Sequence, residues 1–488
     1  MVEVSSDVLV IGAGGAGLAA ALSAAQSGAK VVVVEKTDLI GGPNRINPGS
    51  LGMFAVESWM QAEMHVGVSC AVAYRTLMDH ARWRTDGRVV STFLRNTAPT
   101  IDWFNQLGIH FHQVLAYYTG GAAVFHVRDN PESPVIADVL EQRARELGVL
   151  FFTNTRASGL IKVEGRVVGC EVIDQSGSDG KFLATNTIIT TGGYQGSPEL
   201  IERFTGLRQG HDLFTFKMFT HPQHQGEGLF MAWDAGAAKS ATMLETYMYL
   251  PDPYGGPGGT AVELSAFRQP SLLINQLGLR FVDETIIKNP SDAANAVRQQ
   301  PGSYAYMLVS ESIDQQFRTE GLDFQLFKLY QPAKSLKPLG DQVREAVESG
   351  YSHLFHTQTL EEMGAQLNLP IDTLKATVAT YDQMCRRGID EEFFKETKYM
   401  RAIGEKGPFY AARFCLGSYG SSGGIAINEH GQALDADRQP ISGLYASGRD
   451  ANSIYGGTYP FVFAGAIEAF SYTMGRLAGK HAAANLRK

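Results

Sequence analysis

The sequence predicts an α/β fold: a dinucleotide-binding domain built on a parallel sheet and interrupted by a second, inserted domain. Three observations carry that expectation. A strand–turn–helix unit with a GxGxxG turn opens the 488-residue chain. Strand and glycine-loop signals return after residue 415 and lead into a long helical run. The stretch between 243 and 415 has another character, with helical patterns rich in Gln, Lys and Glu. The expected boundaries are therefore 1–242 and 416–488 for the two parts of the dinucleotide domain and 243–415 for the insert. A chain of this length exceeds one ordinary core.

The opening unit is DVLVIGAGGAGLAAALSAAQSGAKVVVVEK, from Asp7 to Lys36. An apolar run, Val8 to Ile11, reads as a strand and enters Gly12, Gly14, Gly15, Ala16 and Gly17. Gly12 serves the tight turn, Gly14 lets the backbone approach a pyrophosphate, and Gly17 lets helix and strand pack closely. The helix start offers free N–H groups and a positive dipole end to phosphates. A second strand, Lys30 to Val34, ends in Glu35, placed to accept hydrogen bonds from ribose hydroxyls.

After this unit comes a loop, Gly41 to Gly52, whose Gly, Pro and Asn content excludes regular structure. Helical patterns run to about Leu107, an aromatic irregular stretch to His126, and a helix over Ser133 to Leu147. Residues Val149 to Ile189 alternate like a β-meander, and its end in TTGG, Thr190 to Gly193, implies return to the nucleotide sheet. Gly226 to Ala237 reads as a turn and helix. The Pro and Gly content of Pro251 to Gly259 predicts a mobile loop. SSGGIAIN (Ser421 to Asn428) and GLYASGRD (Gly443 to Asp450) restore the strand and loop signals before the terminal helix.

Bulk composition narrows the function. The net charge of −8, with no basic block, argues against nucleic acid or an anionic membrane surface as partner. The uncharged stretch Val8 to Ala29 follows Glu3 and Asp7, where a secretory leader wants basic residues. A cytoplasmic protein with no membrane span is expected. Cys70, Cys170, Cys385 and Cys415 lie far apart without CxxC spacing, so no metal centre, iron–sulfur cluster or redox dithiol is expected. His110, His112 and His126 fit no metal pattern, and His221 and His224 suit loop hydrogen bonds.

Taken together, these separated motifs resemble the flavoprotein family of fumarate reductases, succinate dehydrogenases and 3-ketosteroid dehydrogenases. The resemblance spans nearly the whole chain. It rests on GAGGAG…VVVVEK, Gly41-Gly42, TTGG, the GEG helix start at Gly226, LGLRFVDE (Leu277 to Glu284), SSGGIAIN, and GLYASGR with its Gly-rich turn. It implies FAD in a Rossmann-like domain of glutathione-reductase type, with an α+β capping domain closing over the flavin. It also implies cofactor contacts beyond the opening unit: Lys36, Gly41, Gly42 and Asn44, the backbone at Ala157 against adenine, and Thr191, Gly192 and Gly193. Near the C-terminus the implied contacts are Gly424, Gly448, Arg449, Asp450, Gly456 and Gly457. Arg449 stands where the family commonly has an acid, and Asp450 is expected to take over a ribityl contact.

Departures from the family pattern define the substrate. Where fumarate reductases grip a dicarboxylate with histidines and arginines, this chain has Tyr249 or Leu250, Lys288 or a neighbour, Tyr419 or Gly420, and Ile454. A dicarboxylate needs fixed cations, so fumarate and succinate are not the expected substrates. The last Gly-rich turn instead resembles the ketosteroid dehydrogenases, whose tyrosine acid or base falls on Tyr459. Phenol chemistry suits the role, since an ordinary tyrosine holds its proton at neutral pH. Pro460 suits the first position of a terminal helix from Phe461 onward, aimed at the flavin's pyrimidine end. Tyr118 with its neighbour Tyr117, Tyr249, and Lys288 as proton donor are further candidates.

The resulting expectation is an FAD-dependent reductase delivering a hydride from flavin N5 to an electron-poor carbon of a bulky cyclic or phenolic substrate, such as an isoflavonoid or steroid-like enone. Polyphenol reductases of the tetrahydrodaidzein type are similar in size and architecture. Two alternatives are a ketosteroid-type dehydrogenase running oxidatively and a fumarate-reductase-like enzyme with an altered substrate. One dinucleotide fingerprint is present, so the electrons come either from NAD(P)H in the shared pocket or from a separate donor protein.

Overall fold

The computed structural model describes residues 2–46, 52–118, 121–128, 134–215, 222–251, 264–324 and 337–487. His221 and all of the Pro251–Gly259 segment beyond Pro251 lie outside the described residues. Among the described residues an eight-stranded sheet carries the dinucleotide domain. Its central order is Gln432–Leu434, Pro440–Ala446, Asp179–Ile189, Val2–Ile11, Val31–Val34 and Leu150–Phe152. Adjacent strands from Pro440–Ala446 to Leu150–Phe152 pair in parallel. Val31–Val34 is a run of four valines buried on both faces, as a central parallel strand requires. The meander Thr155–Val163, Arg166–Asp174 and Asp179–Ile189 returns the chain beside the first strand, with Val10 opposite Ile188.

The first helix, Gly15–Gln26, is mostly alanine and packs against the terminal helix, Ala466–Ala484. Small residues make that contact close. A Cβ on Gly475 would lie 2.4 Å from the Ala16 carbonyl oxygen, and one on Gly479 would lie 2.1 Å from that of Ala20. The terminal helix begins at Ala466, not at Phe461 as the position of Pro460 suggested. Phe461–Phe463 forms a 3-10 turn instead, and Gly465, at φ +77°, separates it from the helix. The close approach of Met53 and Phe125 leaves no space for a Cβ at Gly465, so the chain turns there.

A second, six-stranded sheet is centred on the long strand Phe409–Ile425. Lys239–Tyr249, Ala305–Ser310 and Leu354–Thr357 pair antiparallel to it, and Leu213–Thr215 pairs parallel. The expected cuts at 242/243 and 415/416 both fall inside strands of this sheet, Lys239–Tyr249 and Phe409–Ile425. A three-stranded sheet, Gly52–Phe54, Ala123–Val127 and Gln113–Ala116, lies in the first part of the chain.

The LGLRFVDE segment acquires a structural reason. Arg280 forks onto both Glu284 oxygens at 2.8 and 2.9 Å and onto both Asp390 oxygens at 2.8 and 2.6 Å. Lys395 joins Glu284 at 3.1 Å and Tyr381 at 2.8 Å. All four charged side chains are buried. Two cations matched by two carboxylates in bidentate geometry make burial tolerable, and they tie residues 280–284 to the segment after helix Ile371–Arg387.

His126 is a satisfied core histidine. It is buried, its Nε2 lies 2.7 Å from Ser58 Oγ, and its Nδ1 lies 3.1 Å from the Val124 carbonyl. No group of His, Cys, Asp or Glu suited to a metal occurs among the described residues. Nor is any helix among them long and apolar enough to cross a membrane.

Candidate active site

A cleft of about 330 Å³ runs from the opening turn to the start of the terminal helix. Its first end is lined by Gly12, Gly14, Gly15, Ala16, Glu35, Lys36, Gly41, Gly42 and Ala157. Glu35 is held by its neighbours: one oxygen accepts from Ala13 N at 3.0 Å and the other from Thr37 N and Oγ1 at 2.9 Å. Lys36 pairs with Glu227 at 2.7 Å. The side chain of Asn44, in the short helix Pro43–Ile46, lies outside the described residues.

This end fits a dinucleotide. A Cβ on Gly14 would meet nothing within 4 Å, and one on Gly42 would meet only the Gly14 Cα, at 3.8 Å. The two glycines thus bare a stretch of backbone to the cleft. Helix Gly15–Gln26 has no side-chain cap and no acid in its first turn. Its first N–H groups and dipole face the cleft without a protein anion to satisfy them, as a pyrophosphate site requires. Gly17 sits behind that surface, where its absent side chain admits the Gly12 carbonyl oxygen: an added Cβ would be 2.0 Å away.

Midway, Thr191, Gly192, Gly448 and Arg449 line the cleft. Asp450 does not. Its buried carboxylate accepts from Gly192 N and Gly193 N at 3.0 Å and from Thr191 Oγ1 at 3.1 Å. The acid expected at a ribityl chain therefore clamps the Gly448–Asp450 turn to the TTGG turn, and burial raises its pKa to about 6 despite these donors. Gly193, Gly424 and Gly456 also lie off the cleft, packed against Ser421, Leu229 and Ala81, and Gly457 is outside the lining as well.

The far end is aromatic. Tyr117, Phe125, Tyr419, Tyr459 and Phe461 line it, with Glu245 and Arg449. The Phe461 ring lies 5.0 Å from both Tyr117 and Tyr459, and Tyr419 stacks on Tyr247 at 4.4 Å. The Tyr459 hydroxyl donates to the Phe463 carbonyl and accepts from Ala466 N, each at 3.2 Å. Burial pushes its pKa well up. Glu245, on strand Lys239–Tyr249, meets Arg449 Nη1 and Nη2 through Oε2 at 3.4 Å. Burial raises the Glu245 carboxyl to about 7, against the opposing pull of Arg449.

Three expected residues are not part of this lining. Lys288 lies between the rings of Phe324 and Tyr399, 4.5 and 4.7 Å from their centroids. Tyr118 follows Tyr117 at a strand end, where neighbours face opposite ways, and Tyr117 takes the cleft position. Tyr249 packs edge-on to Tyr247, 6.0 Å between centroids. Sequence reasoning missed Glu245 and gave Arg449 only a cofactor role. The available signal was period two: Met243, Glu245, Tyr247 and Tyr249 share one face of a strand, and a lone acid among apolar residues there demands a partner.

Comparison with known proteins agrees with this geometry. The pattern of the family described as FAD binding domain matches residues 7–461. The chain is 31% identical to a vinyl phenol reductase of Lactiplantibacillus plantarum, over 98% of this chain and 96% of that one. It is 27% identical to a fumarate reductase (cytochrome) of Shewanella frigidimarina, over 99% of this chain and 78% of the other. The fold matches a 3-ketosteroid-delta4-(5alpha)-dehydrogenase from Rhodococcus jostii with a TM-score of 0.76, at 20% identity, covering 99% of this chain and 98% of that one. With a pyrophosphate cradle, a fixed acid after the second strand and a family match across nearly its whole length, the chain belongs to the FAD binding domain family and is an FAD-dependent oxidoreductase.

Proposed function

We propose that this chain reduces a carbon–carbon double bond conjugated to a phenolic ring, with Tyr459 as the proton donor. The observation that carries the reading is the far end of the cleft: a buried aromatic wall on which Arg449 is matched by Glu245. Such a wall suits a flat, uncharged ring and offers no surplus charge to a dicarboxylate. The similarity to a vinyl phenol reductase along both chains favours the same class of substrate. Bound FAD, reduced by NAD(P)H or a separate donor protein, supplies the hydride.

The residues of the chain handle the rest. Tyr117, Phe461 and Tyr419 hold the ring and exclude water. Tyr459 keeps its proton at neutral pH, because burial disfavours the phenolate. When the proton leaves, Ala466 N–H at the start of the terminal helix already points at the oxygen, and the helix dipole favours the new charge. Mixing anaerobically reduced enzyme with 4-vinylphenol is expected to restore the oxidised flavin spectrum. Tyr459→Phe is expected to keep FAD and to slow that step by about 10²-fold or more. No reoxidation by any phenolic alkene overturns the reading, and an unchanged rate in Tyr459→Phe removes that residue from it.

A further inference from the structure

Resting on that reading, we propose that Glu245 and Arg449 form the subsite for the substrate's phenolic hydroxyl, and that Glu245 takes and returns its proton during reduction. The two side chains come from different sheets' surroundings, one on strand Lys239–Tyr249 and the other on the turn Gly448–Asp450. Both line the aromatic end of the cleft, and Glu245 is 6% exposed. Their contact is loose. Both guanidinium nitrogens stand 3.4 Å from one carboxylate oxygen, whereas a closed charge-assisted pair is nearer 2.8 Å. Arg449 Nη1 also reaches the Ser421 carbonyl at 3.1 Å, which holds the guanidinium at that standoff.

The chemical class follows from complementarity. A carboxylate accepts only and a guanidinium donates only. A ligand group that satisfies both must donate and accept, as a hydroxyl does. A carboxylate ligand cannot donate and would meet the charge of Glu245. An ether or unsubstituted ring leaves the pair without its match.

This placement also solves a problem of reactivity. The double bond of 4-vinylphenol is electron-rich and does not take a hydride directly. Transfer of the Tyr459 proton to the terminal carbon, with the phenolic proton passing to Glu245, turns it into a quinone methide whose benzylic carbon is electron-poor. The C=C π electrons form the new C–H bond, and the oxygen lone pair forms the ring carbonyl. Reduced FAD, when bound, would supply the hydride and both its electrons at the benzylic carbon, restoring the ring as 4-ethylphenolate. Arg449 faces that oxyanion, Glu245 returns the proton, and Tyr459 regains its own from solvent. One hydride and one proton are added in total.

The charged and titratable groups around Glu245 are Arg449 on its turn, Tyr247 on its own strand, Tyr419 on the neighbouring strand, and Tyr455 and Tyr459 on the Gly-rich turn. Burial raises all four phenols, so they stay neutral through the working range and Glu245 is the group that changes charge near pH 7.

Binding of the product analogue tests the subsite without turnover. Calorimetry on the oxidised, FAD-loaded protein is expected to show 4-ethylphenol binding at least tenfold more tightly than 4-ethylanisole, with the ratio falling to near unity in Glu245→Gln. In turnover, kcat/KM for 4-vinylphenol is expected to rise with pH through about 7, as the carboxylate ionises, and Glu245→Gln is expected to lose that limb. The variant is also expected to lower kcat/KM at least tenfold more for 4-vinylphenol than for 4-nitrostyrene, which is already electron-poor. Equal binding of the phenol and the anisole overturns the subsite whatever the reduction assay shows. A preference for the phenol with no alkene reduced leaves the subsite standing and overturns the reductase reading. Equal losses for both alkenes assign Glu245 a structural role and overturn its part in proton transfer.

Discussion

Alanine at Gly14 and alanine at Gly17 are three residues apart and are expected to fail in opposite ways. At Gly14 the backbone (φ −73°, ψ −175°) suits any residue, and a Cβ meets nothing within 4 Å. The apoprotein therefore gains a methyl group at no cost to packing. That open space is the one a pyrophosphate must enter to reach the N–H groups of the first helix. Displacing one or two charge-assisted hydrogen bonds, at about 1.5–3 kcal/mol each, weakens FAD binding by roughly 3 kcal/mol. At about 1.4 kcal/mol per decade, that is about 10²-fold. At Gly17 the Cβ would lie 2.0 Å from the Gly12 carbonyl oxygen and 2.8 Å from Thr190 Oγ1. Alanine gains about 1 kcal/mol in helix propensity. Overpacking against backbone costs about 1–3 kcal/mol or more. It also strains the 2.8 Å bond from Thr190 Oγ1 to Gly12 O. Thermal melts of the flavin-free proteins and fluorescence titration with FAD separate the two effects. Gly14→Ala is expected to melt within about 1 °C of the parent, and Gly17→Ala about 2 °C or more below it. If Gly14→Ala binds FAD like the parent, the cradle is misplaced. If it melts as low as Gly17→Ala, the distinction between an open and a packed glycine is wrong.

Two further perturbations address the fold. Glu284→Gln takes one of two carboxylates from Arg280 and Lys395 in a dry interior and is expected to cost about 3–5 kcal/mol, read as a lower urea midpoint; an unshifted midpoint refutes the network's role. His126 has its pKa lowered to about 4 by burial, so the folded chain stays neutral where the unfolded chain takes up a proton. Its contribution is therefore present above about pH 6.5 and lost as pH falls toward 4, by up to roughly 3 kcal/mol. Urea midpoints from pH 7 to 4 are expected to fall more steeply in the parent than in His126→Phe, and parallel curves exclude His126 as the cause.

The parts of the fold legible in the sequence were those fixed by short-range rules. Val31–Val34 is readable as a buried parallel strand because it is apolar at every position. The opening turn is readable because each glycine answers one steric demand. The return of the chain after the meander is readable from alternation followed by TTGG. Legibility fails where a tertiary contact decides. Pro460 is a good helix starter by local rules, yet Met53 and Phe125 crowd the backbone at Gly465 and the helix waits until Ala466. Asp450 has the right chemistry for a ribityl contact, yet the nearest donors are the backbone N–H groups of Gly192 and Gly193, brought by a turn more than 250 residues earlier in the sequence.

The same division explains why the reading of the site stopped at three tyrosines and a lysine. A tyrosine in a Gly-rich turn carries its chemistry in one residue, so Tyr459 can be singled out by the resemblance of that one turn to a family motif. An ion pair cannot, because neither partner means much without the other. Arg449 alone looks like a departure from an acidic position, and Glu245 alone looks like an acid stranded in an apolar strand, 204 residues away. Each is a costly residue to bury, and a folded chain keeps a buried charge beside its opposite or among hydrogen-bond donors. Two separately unfavourable residues in stretches bound for one cleft should have been read as one pair. The inference runs further: with Arg449 engaged by Glu245, that arginine is not free to grip a dicarboxylate, and the preference for a phenol proposed above rests on this pairing more than on any residue taken singly.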